Sequence, residues 1–549
     1  MAERTTEAAP TAVFEGIAVS GGIALGPLHL LSGSVEKARR AGSPASEAAA
    51  LQTVLDEAAA ALQALIEAED SLAGDILEFQ LALLEDDDIT GPVFEAIAGG
   101  AAADVAWATK LDAEIADYRS GGDDVLAARA EDLNDLKTRV LRHLAGNGGG
   151  LAEAPPGAIL VAEDLTPSLF LDIDWSRLGG AATVGGSPTS HVSILARARG
   201  VSLIVGTKFP LAALPAGGTA ILDAVAGRLT INPDEQAQAV AEAAAAERAT
   251  RRQAAAAVEC QPARTADGRS VRILANIDAA PLLEEFSPEI CDGIGLTRTE
   301  FLFEGGRQPN EDEQLAFYRR LLDWAGGRPV TVRTLDAGGD KPLPGVTIDG
   351  ETNPFLGVRG LRLSFVRPEL FRCQLRALAR AAVEGNLKVM LPMVTAPWEL
   401  SQARTMLHEE IADLKAAGIA CARPSLGIMI EVPAAALMAA DFDADFYSIG
   451  SNDLIQYTAA SARDNPAVAA LADPQTPAVL ELIRRVVMAG SARGVEVSLC
   501  GEMASTPGLV ASLLDCGLFV LSCAPAQIGP VKLAIAQCGS SGGNGTDHG

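Results

Sequence analysis

Residues 185–200 read GGSPTSHVSILARARG and place His191, one of five histidines in the chain, between a Gly-Ser-Pro turn and an apolar run. The turn residues end the preceding segment. Thr189 or Ser190 can cap a helix that starts at this point, and Val192, Ile194, Leu195 and Ala196 are compatible with one. His191 therefore falls at a helix mouth, where free N–H groups and the positive dipole end favour an anion. A neutral imidazole there is suited to attack phosphorus; taken alone, the position is also that of an ordinary surface histidine. A second set of polar residues sits where apolar runs end: Arg298 in GLTRTEFLF, Arg333 in TVRTLDAGGDK, Glu431 in IMIEVPAAA, Asn452 and Asp453 in SIGSNDL, and Cys500 in VSLCGEM, with Arg463 in the next loop. Glu431 and Asp453 are hard oxygen donors of the kind Mg²⁺ takes while keeping waters and accepting substrate oxygens. The arginines offer planar forks for phosphate and carboxylate. A thiol at Cys500 can deliver a proton. Singly, each has a structural explanation (an ion-pair partner, a cap, a buried small hydrophobe). Together they describe a site for a small phosphorylated acid.

That set has meaning only if one architecture brings it together. From about residue 265, eight apolar β-like runs occur: VRILANI, CDGIGL, VTVRTL, LKVMLPM, SLGIMIE, DFYSIG, VEVSLC and LFVLSC, mostly with helical text between them. Eight such units predict a (β/α)8 barrel, whose active site lies at the C-terminal strand ends, where the polar set falls. Upstream the text differs. Residues 13–31 read as one or two short strands. Residues 45–145 carry apolar residues at helical spacing and predict three or four helices. Residues 158–232 alternate short β-rich runs with glycine turns and predict a compact α/β domain, to which the early strands could belong. GNGGG at 146–150 and the helix-forming stretch 234–258 are candidate joints, and the tail from 539 is glycine- and serine-rich.

Composition narrows the function. The 549 residues suffice for several cores. A formal net charge of -28 makes nucleic acid a poor partner. The eight cysteines are scattered with no CxxC pair, which argues against a disulfide frame or zinc cluster and fits a reducing, cytoplasmic setting. No signal peptide or membrane span is visible in the sequence. The acidic run Glu85–Asp88 could face a basic partner or simply solvent.

The motifs LTPS, PTSHVSILAR, GIGLTRTEFLF, VRTLDAGGDK, NPFLGVRG, IEVPAAA, SIGSNDLIQYT and CGEMA occur in this order over nearly the whole chain. The set resembles the Enzyme I family of the bacterial phosphotransferase system, among the PEP-utilising enzymes. The resemblance implies a multidomain α/β protein. A swivelling α/β phosphohistidine domain would span 1–35 and 150–233, with an inserted helical domain at 36–149 that docks the carrier HPr. A linker helix at 234–262, a phosphoenolpyruvate-binding barrel at 263–538 and a disordered tail at 539–549 would complete the chain. His191 would be the phosphorylated residue, with Thr166 orienting its ring. Arg298, Arg333, Arg359, Asn452, Asp453 and Arg463 would bind substrate, Glu431 and Asp453 would hold Mg²⁺, and Cys500 would protonate the enolate. A homodimer through the barrel is also implied, serving sugar uptake or a related regulatory branch. One departure is plain: the family often has Gly-Gly-Arg before Thr-Ser-His, and here Gly186, Ser187 and Pro188 stand there. Pyruvate phosphate dikinase and phosphoenolpyruvate synthase share these parts, but the N-terminal block leaves too little chain for their nucleotide-binding module. A regulatory protein that binds without turnover is the other alternative.

Overall fold

A computed structural model describes residues 11–31, 42–68, 74–120, 124–145 and 154–539, apart from 189, 212–213, 215–216, 340, 349, 463–464 and 466. Arg463, the glycine joint at 146–150 and residues 540–549 of the tail lie outside the described residues. The chain forms two compact units, 1–249 and 250–549.

The first unit holds an eight-stranded sheet: β1 (Ala12–Glu15), β2 (Ile17–Ser20), β3 (Ile23–Leu30), β4 (Ile159–Ala162), β5 (Gly180–Thr183), β6 (Leu203–Val205), β7 (Thr219–Asp223) and β8 (Arg228–Ile231). Its order is β1-β8-β7-β3-β4-β5-β6-β2. Three strands, not one or two, come from residues 12–31, because glycines cut the run. Gly16 marks the first cut, where a Cβ would lie 2.6 Å from the Ile204 side chain. β3 pairs parallel with β4 and antiparallel with β7, so residues 31–158 leave and re-enter the sheet between neighbouring strands.

The described residues of that excursion form five helices, α1 (Pro44–Ala68), α2 (Gly74–Leu84), α3 (Asp87–Ala98), α4 (Ala103–Ser120) and α5 (Asp124–Leu144), rather than three or four. α2 and α3 are separated at Asp86, whose carboxylate accepts from Asp88 N at 2.8 Å and caps α3. Asp87 and Asp88 then lie in the first turn, where the dipole favours acids. Leu51, Leu62, Leu77, Trp107, Leu111 and Leu136 are fully buried between these helices. Two short helices come after β4 and β5: α6 (Pro167–Asp172), capped by Thr166, and α7 (His191–Ala198), capped by Ser190. α8 (Glu235–Val258) contains the boundary between the units.

The second unit is a closed parallel barrel of β9 (Arg272–Ile277), β10 (Ile294–Thr297), β11 (Val330–Arg333), β12 (Leu387–Leu391), β13 (Ser425–Ile430), β14 (Phe446–Gly450), β15 (Glu496–Cys500) and β16 (Val520–Cys523). All eight strands fall on the predicted apolar runs. Strands covered on both faces read as continuous hydrophobic text, and these are buried along almost their whole length. Leu296, Met390, Met429, Phe446 and Cys500 pack together as one inward cluster. Gly427 makes room for it: a Cβ there would come within 2.5 Å of the Phe446 ring.

The end of α8 is tied to the barrel by the final helix, Ile528–Gln537. Lys532, 5% exposed, donates from Nζ to the carbonyls of Glu259 at 2.7 Å and Gln261 at 2.9 Å. Lys532→Ala leaves both carbonyls without their charged donor and should cost about 2–3 kcal/mol, read as a lower denaturant midpoint for the barrel. An unchanged midpoint would show that water replaces the ammonium.

Candidate active site

In the first unit, His191 is the first residue of α7 and is half-buried. Ser190 Oγ accepts from Ser193 N at 3.3 Å, and Ser193 Oγ donates to the Ser187 carbonyl at 2.6 Å. The Gly-Ser-Pro turn is further closed by Arg197, whose Nη2 donates to the Pro188 carbonyl at 2.5 Å and whose Nε donates to Val19 O of β2 at 3.2 Å. The His191 ring makes no hydrogen bond to another described residue. Thr166, expected beside it, accepts from Leu169 N at 3.4 Å as the cap of α6, a helix packed on α7.

The carboxylate that senses His191 is Asp132 on α5. Burial pushes its pKa up to about 6, against the opposing pull of His191 and Arg129. Arg129 Nη1 lies 3.3 Å from Asp132 Oδ2. Asp132 is absent from the sequence expectations, though a signal existed. Asp132, Asp135 and Arg139 recur at helical spacing beside the buried stripe Leu133, Leu136 and Val140, and polar residues on a core stripe call for partners. Asp135 finds them in Gln80 and in both the N–H and hydroxyl of Ser168, which links α5 to α6.

In the second unit, the predicted residues gather at the C-terminal face of the barrel. Arg298 follows β10, Arg333 ends β11, Glu431 follows β13, and Cys500 ends β15. Asn452 and Asp453 lie in the first turn of helix Ser451–Ala459, directly after β14. Arg359 comes from the loop after β11. Arg333, Arg359, Glu431, Asp453 and Cys500 are all buried; Arg298 is one-third exposed and pairs with Asp278 at 3.2 Å. Asn452 Oδ1 accepts from Glu502 N at 3.0 Å.

Carboxylates that the sequence reading missed fix the arginines. Glu300 Oε1 lies 2.7 Å from Arg333 Nη2, and Asp336 Oδ2 lies 3.0 Å from Arg333 Nη1. Asp336 also takes Arg359, and Arg359 Nη1 reaches Asp453 Oδ1 at 3.2 Å. Glu300 and Asp336 stand inside quoted motifs, two and three residues from the arginines that motivated them. Their role follows from the rule that a buried guanidinium requires a counter-charge. Burial opposes the charge on Arg333, but Glu300 and Asp336 outweigh it and hold that charge firmly. Burial likewise opposes ionisation of Asp336, and Arg333 and Arg359 overcome it.

Glu431 is the exception. Burial, reinforced by the negative charges of Asp453 and Asp336, pushes its pKa up to about 8. Its Oε1 is fixed by Met393 N at 2.6 Å, from a residue with φ of +55°. A Cβ on Gly450 would lie 2.8 Å from Oε2, so that glycine keeps the second oxygen clear. Two crowded carboxylates, one holding a proton it would release to a cation, fit a divalent ion that takes its other oxygens from substrate and water. Among the described residues no group of three or more His, Cys, Asp or Glu could hold a metal alone. Cys500 is a neutral thiol: burial pushes it up to about 11, Ser448 Oγ donates to its sulfur at 3.3 Å, and the thiol points to Ile449 O at 3.6 Å.

The mouth is also where hydrogen bonding is unfinished. Thr297 Oγ1, Arg298 Nε, Glu300 Oε2, Arg333 Nε and Thr334 Oγ1 are buried without a partner, five of the eleven such side-chain atoms among the described residues. Orphaned buried polar atoms are costly, and their concentration at the ends of β10 and β11 marks a place for polar ligand atoms.

Comparison with known proteins places the chain in a family. Residues 15–129 match the model of the PEP-utilising enzyme N-terminal domain, 154–227 that of the mobile domain, and 252–540 that of the PEP-binding domain. The chain is 37% identical over 540 residues to a phosphoenolpyruvate-protein phosphotransferase of Bacillus sp. (strain S), covering 95% of this chain and 92% of the relative. It is 38% identical over 549 residues to that of Geobacillus stearothermophilus, with the same coverage. A Xanthomonas campestris multiphosphoryl transfer protein is 40% identical over 467 residues, covering 84% of this chain and 55% of the relative. A solution structure of Enzyme I (nEIt) aligns with a TM-score of 0.35 and 26% identity, over 43% of this chain and 98% of that one. No described helix is long and apolar enough to cross a membrane. With its three domain matches and the two phosphotransferases matched over 95% of this chain, the chain belongs to the phosphoenolpyruvate–protein phosphotransferase (Enzyme I) family of PEP-utilising enzymes.

Proposed function

We propose that this enzyme takes the phosphoryl group of phosphoenolpyruvate at the barrel mouth onto His191 and passes it to an HPr-type carrier, releasing pyruvate. The observation that carries the reading is the barrel mouth itself: buried arginines, two carboxylates suited to a cation, a neutral thiol and unmatched polar atoms, in a chain of this family. Arg298 and Arg333 grip the phosphoryl and carboxylate oxygens, with Arg463 joining them on the strength of the family motif and Asn452 donating from its amide. When bound, Mg²⁺ would be held by Glu431 and Asp453 and would neutralise charge on the substrate oxygens.

A ring nitrogen of His191 attacks phosphorus in line. The P–N bond forms as the P–O bond to the enol oxygen breaks, and the electron pair leaves with the enolate. Positioning and charge compensation supply most of the catalysis in such a transfer. Cys500 gives its proton to the methylene carbon, yielding pyruvate, and is reprotonated from solvent. A thiol held up near 11 is fully protonated at neutral pH, as a donor must be.

His191 must visit the barrel mouth and then the carrier. We assign the α/β module at 1–35 and 150–233 to that exchange, the helical block at 36–149 to carrier docking, 234–262 to the link and 263–538 to substrate. The acidic residues at the start of α3 are candidates for a basic carrier face, although Asp86 is already used as a cap. A cytoplasmic homodimer joined through the barrel completes the reading.

Intact-mass measurement after incubation with phosphoenolpyruvate and Mg²⁺, at mildly alkaline pH and without carrier, should show one acid-labile phosphoryl group, absent in His191→Ala. A folded wild-type protein that gains no mass would overturn the reading. Cys500→Ala should lower steady pyruvate formation by about 10²- to 10⁴-fold, measured with carrier present. A divalent cation must displace the Glu431 proton below about pH 8. Apparent Mn²⁺ affinity, measured without substrate by electron paramagnetic resonance, should therefore rise up to tenfold per unit from pH 6 to 8 and level off above. A flat profile would remove Glu431 from the ligand set.

A further inference from the structure

We propose that Asp336 is a positioning residue that builds the phosphoryl grip and the metal carboxylate around one side chain, and that Arg359 acts through Asp453 rather than on substrate. The proposal rests on the function just given.

Asp336 is 0% exposed and lies in the loop directly after β11. Its Oδ2 accepts from Arg359 Nη2 at 3.0 Å and is ion-paired with Arg333 Nη1 at the same distance. Its Oδ1 receives Arg359 Nε at 3.4 Å, so Arg359 is held by two of its nitrogens in a fixed plane. The Asp336 backbone N–H donates to Glu300 Oε1 at 3.1 Å, the same oxygen that takes Arg333 Nη2. One residue thereby fixes Arg333 on one side and Arg359 on the other.

Arg359 is 1% exposed, and each of its three nitrogens already has a protein partner. Nη1 donates to Asp453 Oδ1 at 3.2 Å and to Tyr457 Oη at 3.3 Å; that hydroxyl donates onward to Phe355 O at 2.5 Å. The guanidinium is thus a strut running from Asp336 to Asp453. The backbone is adapted to it. Gly338, at φ +106°, passes so close that a Cβ would lie 2.7 Å from Arg359 Cβ. Gly360, at φ +57°, would place one 3.1 Å from Asp336 Oδ1 and 2.9 Å from Met393. Side chains at either position would push the Asp336 and Arg359 loops apart, and Met393 is the residue that fixes Glu431.

The test compares the wild-type protein with Asp336→Asn, Arg359→Met and the double variant. Two quantities are read: kcat and KM for phosphoenolpyruvate, and Mn²⁺ affinity without phosphoenolpyruvate. For Asp336→Asn, kcat should fall about 100-fold and KM rise about tenfold, with Mn²⁺ affinity down about tenfold as Asp453 loses its support. Arg359→Met should weaken Mn²⁺ binding to the same extent. The double variant should bind Mn²⁺ within about twofold of the weaker single variant, because both substitutions break one path. Folded Asp336→Asn with wild-type KM and Mn²⁺ affinity would overturn the proposal, as would additive losses in the double variant. Where Asp336→Asn fails to fold by circular dichroism, Arg359→Lys decides: it keeps a charge beside Asp336 but shortens the reach to Asp453, and unchanged Mn²⁺ affinity would overturn the strut. A wild-type protein that is not phosphorylated would sink the function itself, while the Mn²⁺ comparison still judges the strut.

Discussion

The barrel mouth depends on keeping several charges in a dry interior at once. Five groups alternate in sign along one bonded chain: Glu300, Arg333, Asp336, Arg359 and Asp453. A buried ion pair must recover a large desolvation cost through geometry, so this chain works only if the strands holding it keep their register. The parallel pairing of β11 with β12, β12 with β13 and β13 with β14 sets that register. Within that register the Phe446 ring packs directly against Gly427. The apolar interior is thus the scaffold that makes the polar mouth affordable.

Protonation follows from the same burial. Charges inside the chain are stabilised by their neighbours, while the two groups beside it are pushed towards neutrality. Glu431 faces carboxylates and holds a proton to about 8; Cys500 faces the apolar cluster and holds one to about 11. On the proposed function, that gap would separate their tasks: a cation would take the place of the Glu431 proton near neutral pH, whereas the Cys500 proton would stay until the enolate carbon takes it. One low-dielectric environment thereby produces an exchangeable proton and a retained one.

The barrel was almost fully legible because parallel strands buried on both faces appear as apolar runs, several of them ending at or followed by a polar residue. The first unit was less so. Apolar spacing alone predicts three or four helices there without locating their ends, and the α2–α3 break is set by the Asp86 cap. The site residues divide in the same way. Arg298, Arg333, Glu431 and Cys500 could be found from position alone. Glu300, Asp336 and Asp132 were harder to assign, because an acid is defined by everything it faces: Asp336 and Asp132 each have a near partner three residues away, but the interactions that join Glu300 to Arg333, Asp336 to Arg359 and Asp132 to His191 span 33, 23 and 59 residues. Arg359 was readable as a conspicuous cation but not as a strut, since its engagement with Asp336 and Asp453 is purely tertiary.

The Gly-Ser-Pro turn before His191 bears on how such a site tolerates change. It lacks the arginine common in the family, yet it is closed from within by α7: Ser193 holds the Ser187 carbonyl and Arg197 holds that of Pro188. The position at which the helix begins is set by Ser190 and Ser193, not by the turn's own side chains. A change in the turn therefore alters local contacts while leaving His191 at the helix mouth, its ring unbound by any described neighbour. The barrel mouth obeys the same logic. There the backbone and ion pairs are fully specified, and the unmatched atoms are the Thr297, Arg298, Glu300, Arg333 and Thr334 side-chain groups. In the first unit the turn's carbonyls are held while the His191 ring is not, and at the barrel mouth the same arginines that are fixed through their outer nitrogens keep unmatched polar atoms beside them.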